Sequence, residues 1–106
     1  MIKSVDIGGV RYSVAEVEGL ERAEDGAFLY GEIMHTDLTI KIEADMAQVV
    51  KVQALLHEAL HGLFHQTGHY DIEDEERVVQ MLGCQLPKLL KDNPELVSLL
   101  LGDADD

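Results

Sequence analysis

His57-Glu58-Ala59-Leu60-His61 sets two imidazoles four residues apart, with a carboxylate directly after the first. On an α-helix, residues i and i+4 stack on one face, so both rings reach a single metal ion. The glutamate between them projects about 100° further around, beside the fourth coordination position. There it can take a proton from a metal-bound water. This HExxH spacing points to Zn²⁺ held by His57 and His61, with Glu58 as general base for hydrolysis of a peptide bond. The plainer alternative is a pair of surface histidines on an amphipathic helix.

Catalytic zinc takes three protein ligands and a water. An extended motif would carry a third histidine ten residues after His57, but that position is Thr67. The acidic run Asp71-Ile72-Glu73-Asp74-Glu75-Glu76 offers a carboxylate instead. If this run opens a second helix, Val78, Val79, Leu82, Leu86 and Leu89 define its buried stripe. Glu75 falls near the centre of that stripe, Glu76 at its margin and Glu73 nearly opposite. A buried carboxylate needs a cation or strong hydrogen-bond donors. Glu75 is therefore the expected third ligand and Glu76 the fallback; the competing reading of Glu75 is a solvated residue favoured by the helix dipole. His65 continues the row from His61, and His69 and Tyr70 lie in the connection, where either can donate to an oxyanion. His35 has no partner visible in the sequence, and Cys84 lies half a turn from Glu75 and is not counted as a ligand.

The elements that position these groups divide the chain in two. Residues 1–44 read as strands: two runs within Val5 to Val17, turned at Gly8-Gly9, then a hairpin from Ala27 to Glu43. In its second arm Leu38, Ile40 and Ile42 alternate with Thr39, Lys41 and Glu43, as a sheet with one buried face requires. Residues 45–102 read as helices. Asp45 and Gln48 resemble a capping box opening a helix to about Gln66, with Gly68 as its stop. On it Val49, Val52, Leu56, Leu60 and Leu63 form an apolar stripe, with His57 and His61 beside it and Glu58 further toward solvent. A second helix runs from a cap at Asp71 to Gln85, with a break or kink at Leu86 imposed by Pro87. Asn93-Pro94 starts a short third helix to Leu101, and 103–106 form a frayed tail. Leu96, Leu99, Leu100 and Leu101 suit a core or a dimer contact. The fold expected is one α+β domain over 1–106, a mixed or antiparallel sheet packed on the HExxH helix and a second ligand-bearing helix.

Composition bounds the partners. The net charge is −13 with only eight basic residues, which argues against binding a phosphate backbone. The acidic excess suits a solvated surface, or a basic partner. No apolar run approaches the roughly 20 residues of a membrane span. A single cysteine and no secretory leader point to a reducing cytoplasm.

Beyond these features, the chain resembles the short, prophage-type relatives of the ImmA/IrrE-like zinc metallopeptidases. The resemblance is carried from about Tyr30 onward by Tyr30-Gly31-Glu32-Ile33, Leu55 to His61, Asp74 to Val79, and Leu89 to Pro94. It implies a zincin-like domain with a gluzincin-like site: His57, His61 and a downstream helical glutamate on zinc, with Glu58 as base. It also implies a strand beside the active-site helix to which a peptide substrate adds by backbone pairing, Leu38 to Ile42 being the candidate. Two departures are the shortness of the chain and Leu82, where similar sequences carry small residues. The expected activity is endopeptidase cleavage of a cytoplasmic protein, such as a phage or mobile-element regulator. The alternative is a non-enzymatic zincin-fold protein that binds a basic partner through its acidic surface.

Overall fold

Gly8 and Gly9, with φ of 56° and 86°, make the two-residue turn between β1 (Ser4–Ile7) and β2 (Val10–Val17). Positive φ at both turn residues matches the right-handed twist of the strands they join, and Ile7 pairs with Val10 across the turn. A Cβ on Gly8 would also lie 2.8 Å from Cβ of Gln66, so the hairpin rests against the end of the first helix only because residue 8 has none. The computed structural model describes residues 1–68 and 73–102.

The second hairpin is shorter than its apolar pattern suggests. β3 (Gly31–Met34) and β4 (Thr39–Glu43) pair antiparallel, Gly31 opposite Ile42. Phe28 makes only an isolated bridge with Glu21, and both Phe28 and Tyr30 face solvent. Leu38, expected on the inward face, occupies the turn at φ 54°. A β-turn needs a left-handed residue there, and that geometry takes precedence over the alternation. β4 then runs parallel to β2, giving a mixed sheet in the order β1-β2-β4-β3. The Glu43 carboxylate ties the crossing to β4 by accepting from the backbone N–H groups of Leu20 (2.7 Å), Asp45 (3.0 Å) and Gly19 (3.3 Å). These donors hold it below the ordinary glutamate range.

α1 (Gln48–Gln66) packs across one face of this sheet. Ile7, Tyr12, Ile40 and Ile42 meet Ala54 and Leu55 there, forming the core. The helix starts at Ala47 with no side-chain cap. The expected capping box at Asp45 does not form, and the Asp45 N–H donates to Glu43 instead. Its end agrees with expectation, at Thr67 and a left-handed Gly68. The buried face differs. Val49, Val52 and Leu63 of the expected stripe are exposed, while Ala54, Leu55, Glu58, Leu60 and Gly62 are buried. Small residues explain the rotation: a Cβ on Gly62 would come within 3.0–3.2 Å of Ile7 and Ile33. The sheet approaches where the helix is thin, a feature that counting large apolar residues overlooks. Glu58 is thereby carried inward rather than toward solvent.

α2 (Glu75–Asp92) packs on α1, and α3 (Pro94–Leu101) on α2. Asp74, not Asp71, is the N-cap of α2; Asp71 lies outside the described residues, as do His69, Tyr70 and the 103–106 tail. Pro87 sits inside α2, so of the break or kink expected at Leu86 the break does not occur and the helix continues to Asp92. Proline's fixed φ is already helical, so the direct loss is the hydrogen bond to the Gly83 carbonyl. Asn93 precedes Pro94 as expected, but its side chain donates to the Leu89 carbonyl (2.8 Å), closing α2 rather than opening α3. No helix among the described residues is long and apolar enough to cross a membrane.

The two turn glycines separate backbone strain from contact. Gly9→Ala, with open space around the added methyl, should cost about 1 kcal/mol in urea denaturation. Gly8→Ala should cost clearly more, because the methyl also collides with Gln66.

Candidate metal centre

His57 and His61 stand one turn apart on α1, their ring centroids 5.0 Å apart. The Glu76 carboxylate, from the first turn of α2, meets both. Its Oε1 lies 2.9 Å from His57 Nε2 and its Oε2 2.8 Å from His61 Nε2. One ligand atom from each of His57, His61 and Glu76 lies within 4.8 Å of the others. Glu75, the expected third ligand, is on the other side of the His61 ring, its Oε2 2.6 Å from Nδ1. The geometry thus brings the fallback residue into the ligand group and gives Glu75 a supporting position. Helical phase ranked them the other way because it equated the site with the centre of the buried stripe. The ligand group instead sits at the rim between the helices, where Glu76 is 59% exposed and Glu75 27%.

The donor set tests whether a metal fits. A neutral imidazole has one N–H, and His61 has a carboxylate at each nitrogen. With Nδ1–H donating to Glu75, the Nε2 lone pair would face Glu76. That face needs a cation: a second proton on the ring or a metal. Two imidazole nitrogens and a carboxylate oxygen are borderline ligands of the kind zinc prefers, and a carboxylate on the far nitrogen orients such a histidine and raises its basicity. His57, His61 and Glu76 thus form a group that could hold a metal ion.

Glu58 is 9% exposed, enclosed between α1 and β3. A Cβ at Gly31 would lie 3.1 Å from its Cγ and 3.3 Å from its Oε2, so β3 reaches the site only because residue 31 is glycine. Burial raises the Glu58 carboxyl to about 7, with the charges of Glu76 and Glu32 adding to it and His61 opposing. A cavity of about 700 Å³ opens over Glu58, His57, His61 and Glu76, with Glu32 and His35 on its walls.

His35 had no visible partner in the sequence because its contacts lie 23 or more residues away. Its Nδ1 is 3.2 Å from the Tyr12 hydroxyl, which accepts from Gln66 Nε2 (2.8 Å). His35 also stacks on His65, with ring centroids 3.9 Å apart. Burial, then the neighbouring His65, pushes its pKa down. His65 therefore faces a ring of β3's turn. Cys84 is exposed and takes no part in the ligand group.

The strand geometry also moves the expected peptide-pairing edge. β4 is bonded on both sides, by β2 and β3, whereas β3 is an edge strand beside Glu58. A peptide adding to the sheet here must pair with β3. Comparison with known proteins gave no matching family model, no matching curated protein and no matching solved structure.

The assignments separate by metal affinity. Glu75→Gln should weaken zinc binding by about 10- to 100-fold, and Glu76→Ala by more, in competition with a chromophoric chelator. Glu58 also sets a pH signature in the metal-free protein. The folded chain keeps this proton to about pH 7, whereas an unfolded glutamate releases it near 4.5. Its contribution is complete below pH 4.5 and declines as pH rises to 7, by about 3 kcal/mol. Glu58→Gln should remove that decline, so urea denaturation should show its stability relative to wild type growing between pH 4.5 and 7.

Proposed function

We propose that this chain is a zinc-dependent peptide hydrolase with a zincin-like site, acting on a cytoplasmic protein. The observation that carries the proposal is the convergence of His57, His61 and Glu76 beside a buried Glu58, on the rim of an open cavity. His57 and His61 would hold zinc from α1 and Glu76 from α2. Three protein ligands with a cavity beside them suit a catalytic shell, which keeps a place for water.

When bound, zinc supplies a Lewis acid that polarises a carbonyl and acidifies water. The protein's own groups account for the rest. Glu58 accepts the proton from the attacking water and delivers it to the leaving amine. Its enclosure by Gly31 and α1 holds the carboxylate in place and limits its hydration. Glu75 keeps His61 in the Nδ1–H tautomer, so that Nε2 is the ligand. The exposed edge of β3 offers backbone N–H and C=O groups to an extended peptide, which would run past Glu58. The resemblance to ImmA/IrrE-like peptidases supports the same reading and the same ligand types. It also suggests a phage or mobile-element regulator as substrate.

Zinc-loaded protein should hydrolyse an unfolded protein substrate such as casein, and chelation should stop it. Glu58→Gln should retain one zinc per chain by elemental analysis and lose at least about 100-fold in rate. His57→Ala should lose both the metal and the activity. Full activity in Glu58→Gln would rule out its role as base.

A further inference from the structure

Beside the metal centre lies a second, apolar chamber. It has a volume of about 520 Å³ and shares His57 and Glu58 with the site. Val50 and Ala54 line it from α1, at seven and three residues before His57, and so on the same helix face. Gln80 and Gly83 line it from α2, four and seven residues beyond Glu76. The two helices therefore carry one continuous groove, with the ligand group at one end and the chamber following it by one to two turns. Phe28 and Tyr30 stand at its mouth on the segment entering β3.

Three observations mark the chamber as a built site rather than a packing gap. Phe28 is 80% exposed and Tyr30 70%, in a chain with only two phenylalanines and three tyrosines. Leaving an aromatic ring in water forgoes the gain of burying it, and two together beside one cavity signal a ligand surface. Gly83 is part of the lining, and a Cβ there would meet nothing within 4 Å, so the wall at this residue borders open space. Finally, among the described residues His57 and Glu58 are the only ionisable groups on the wall besides Cys84 and Tyr30, although 27% of the chain is charged. The size lies within the usual range for ligand pockets, roughly 300–1,000 Å³.

We infer that this chamber selects a bulky apolar side chain, aliphatic or aromatic, on the residue bordering the bond presented to the metal. The inference rests on the hydrolase reading of the centre and names its substrate class. A peptide paired with β3 passes Gly31, which lines both the chamber and the cavity over Glu58. A side chain leaving the peptide at that point enters between Phe28, Ala54 and Gly83. Acidic side chains are disfavoured there, since the described residues of the wall include no Lys or Arg and Glu58 is among them.

The test uses zinc-loaded protein and two probes, the hydroxamates of N-acetyl-leucine and N-acetyl-glycine. The leucine compound should bind at least about tenfold tighter in calorimetry and should slow iodoacetamide alkylation of Cys84, which lines the chamber. Gly83→Leu replaces a poor helix former with a good one and fills the chamber, so it should bring the two affinities together. Phe28→Ser, at an exposed position, should reduce the preference as an independent check. Equal affinities in the wild type, or a preference that survives Gly83→Leu, would overturn the chamber alone. Failure of both hydroxamates to bind zinc-loaded protein would overturn the metal-centre reading and this inference with it.

Discussion

A carboxylate from α2 bridging two imidazoles on α1 is the contact on which the rest of the arrangement depends. Glu76 meets His57 and His61 at 2.9 and 2.8 Å, and no other charged contact described between the helices involves both rings. Without a cation this contact is frustrated at His61, whose two nitrogens both face carboxylates. A metal held by His57, His61 and Glu76 would resolve it, with Glu75 left to accept from the other nitrogen of His61. Metal binding and the docking of α2 on α1 would then be one event, with part of the binding free energy expressed as stability of the helix pair.

The sheet contributes by approaching α1 closely. Gly62 admits Ile7 and Ile33, and Gly31 admits Glu58. Both are places where a methyl group would force neighbours apart, and between them they fix the helix and the strand edge about the same carboxylate. Glu58 is buried as a result, and its burial is what moves its proton affinity toward neutrality. The price of this geometry is a charged form that destabilises the metal-free fold at neutral pH. A nearby cation offsets that cost, which links the base to the metal through electrostatics as well as through chemistry.

Much of this was legible in the residues themselves. The HExxH spacing, the Gly8-Gly9 turn, the Gly68 stop and the α+β division all follow from local rules, because each depends on neighbours in sequence. The errors share a different cause. The α1 stripe was drawn through Val49, Val52 and Leu63, yet the sheet packs on Ala54 and Gly62, whose smallness is a signal only when a partner surface is known. Burial as the mark of a ligand favours Glu75 over Glu76, whereas the His57, His61 and Glu76 group that could hold a metal lies at a rim. Leu38 and β4 were placed by alternation, which does not report strand order; the parallel β2–β4 pairing leaves β3 as the edge. The Tyr12–His35–His65 cluster joins positions 23 or more residues apart and has no local signature.

The central claim is that α1 and α2 together build one metal shell from two imidazoles, one carboxylate and solvent. X-ray absorption at the zinc edge of stoichiometrically loaded protein tests it most directly. The account predicts a four-ligand nitrogen and oxygen shell at about 2.0–2.1 Å with scattering from two imidazoles, and a change in that shell in Glu76→Ala. A sulfur ligand, a single imidazole, or a shell unaltered by the loss of Glu76 would contradict it.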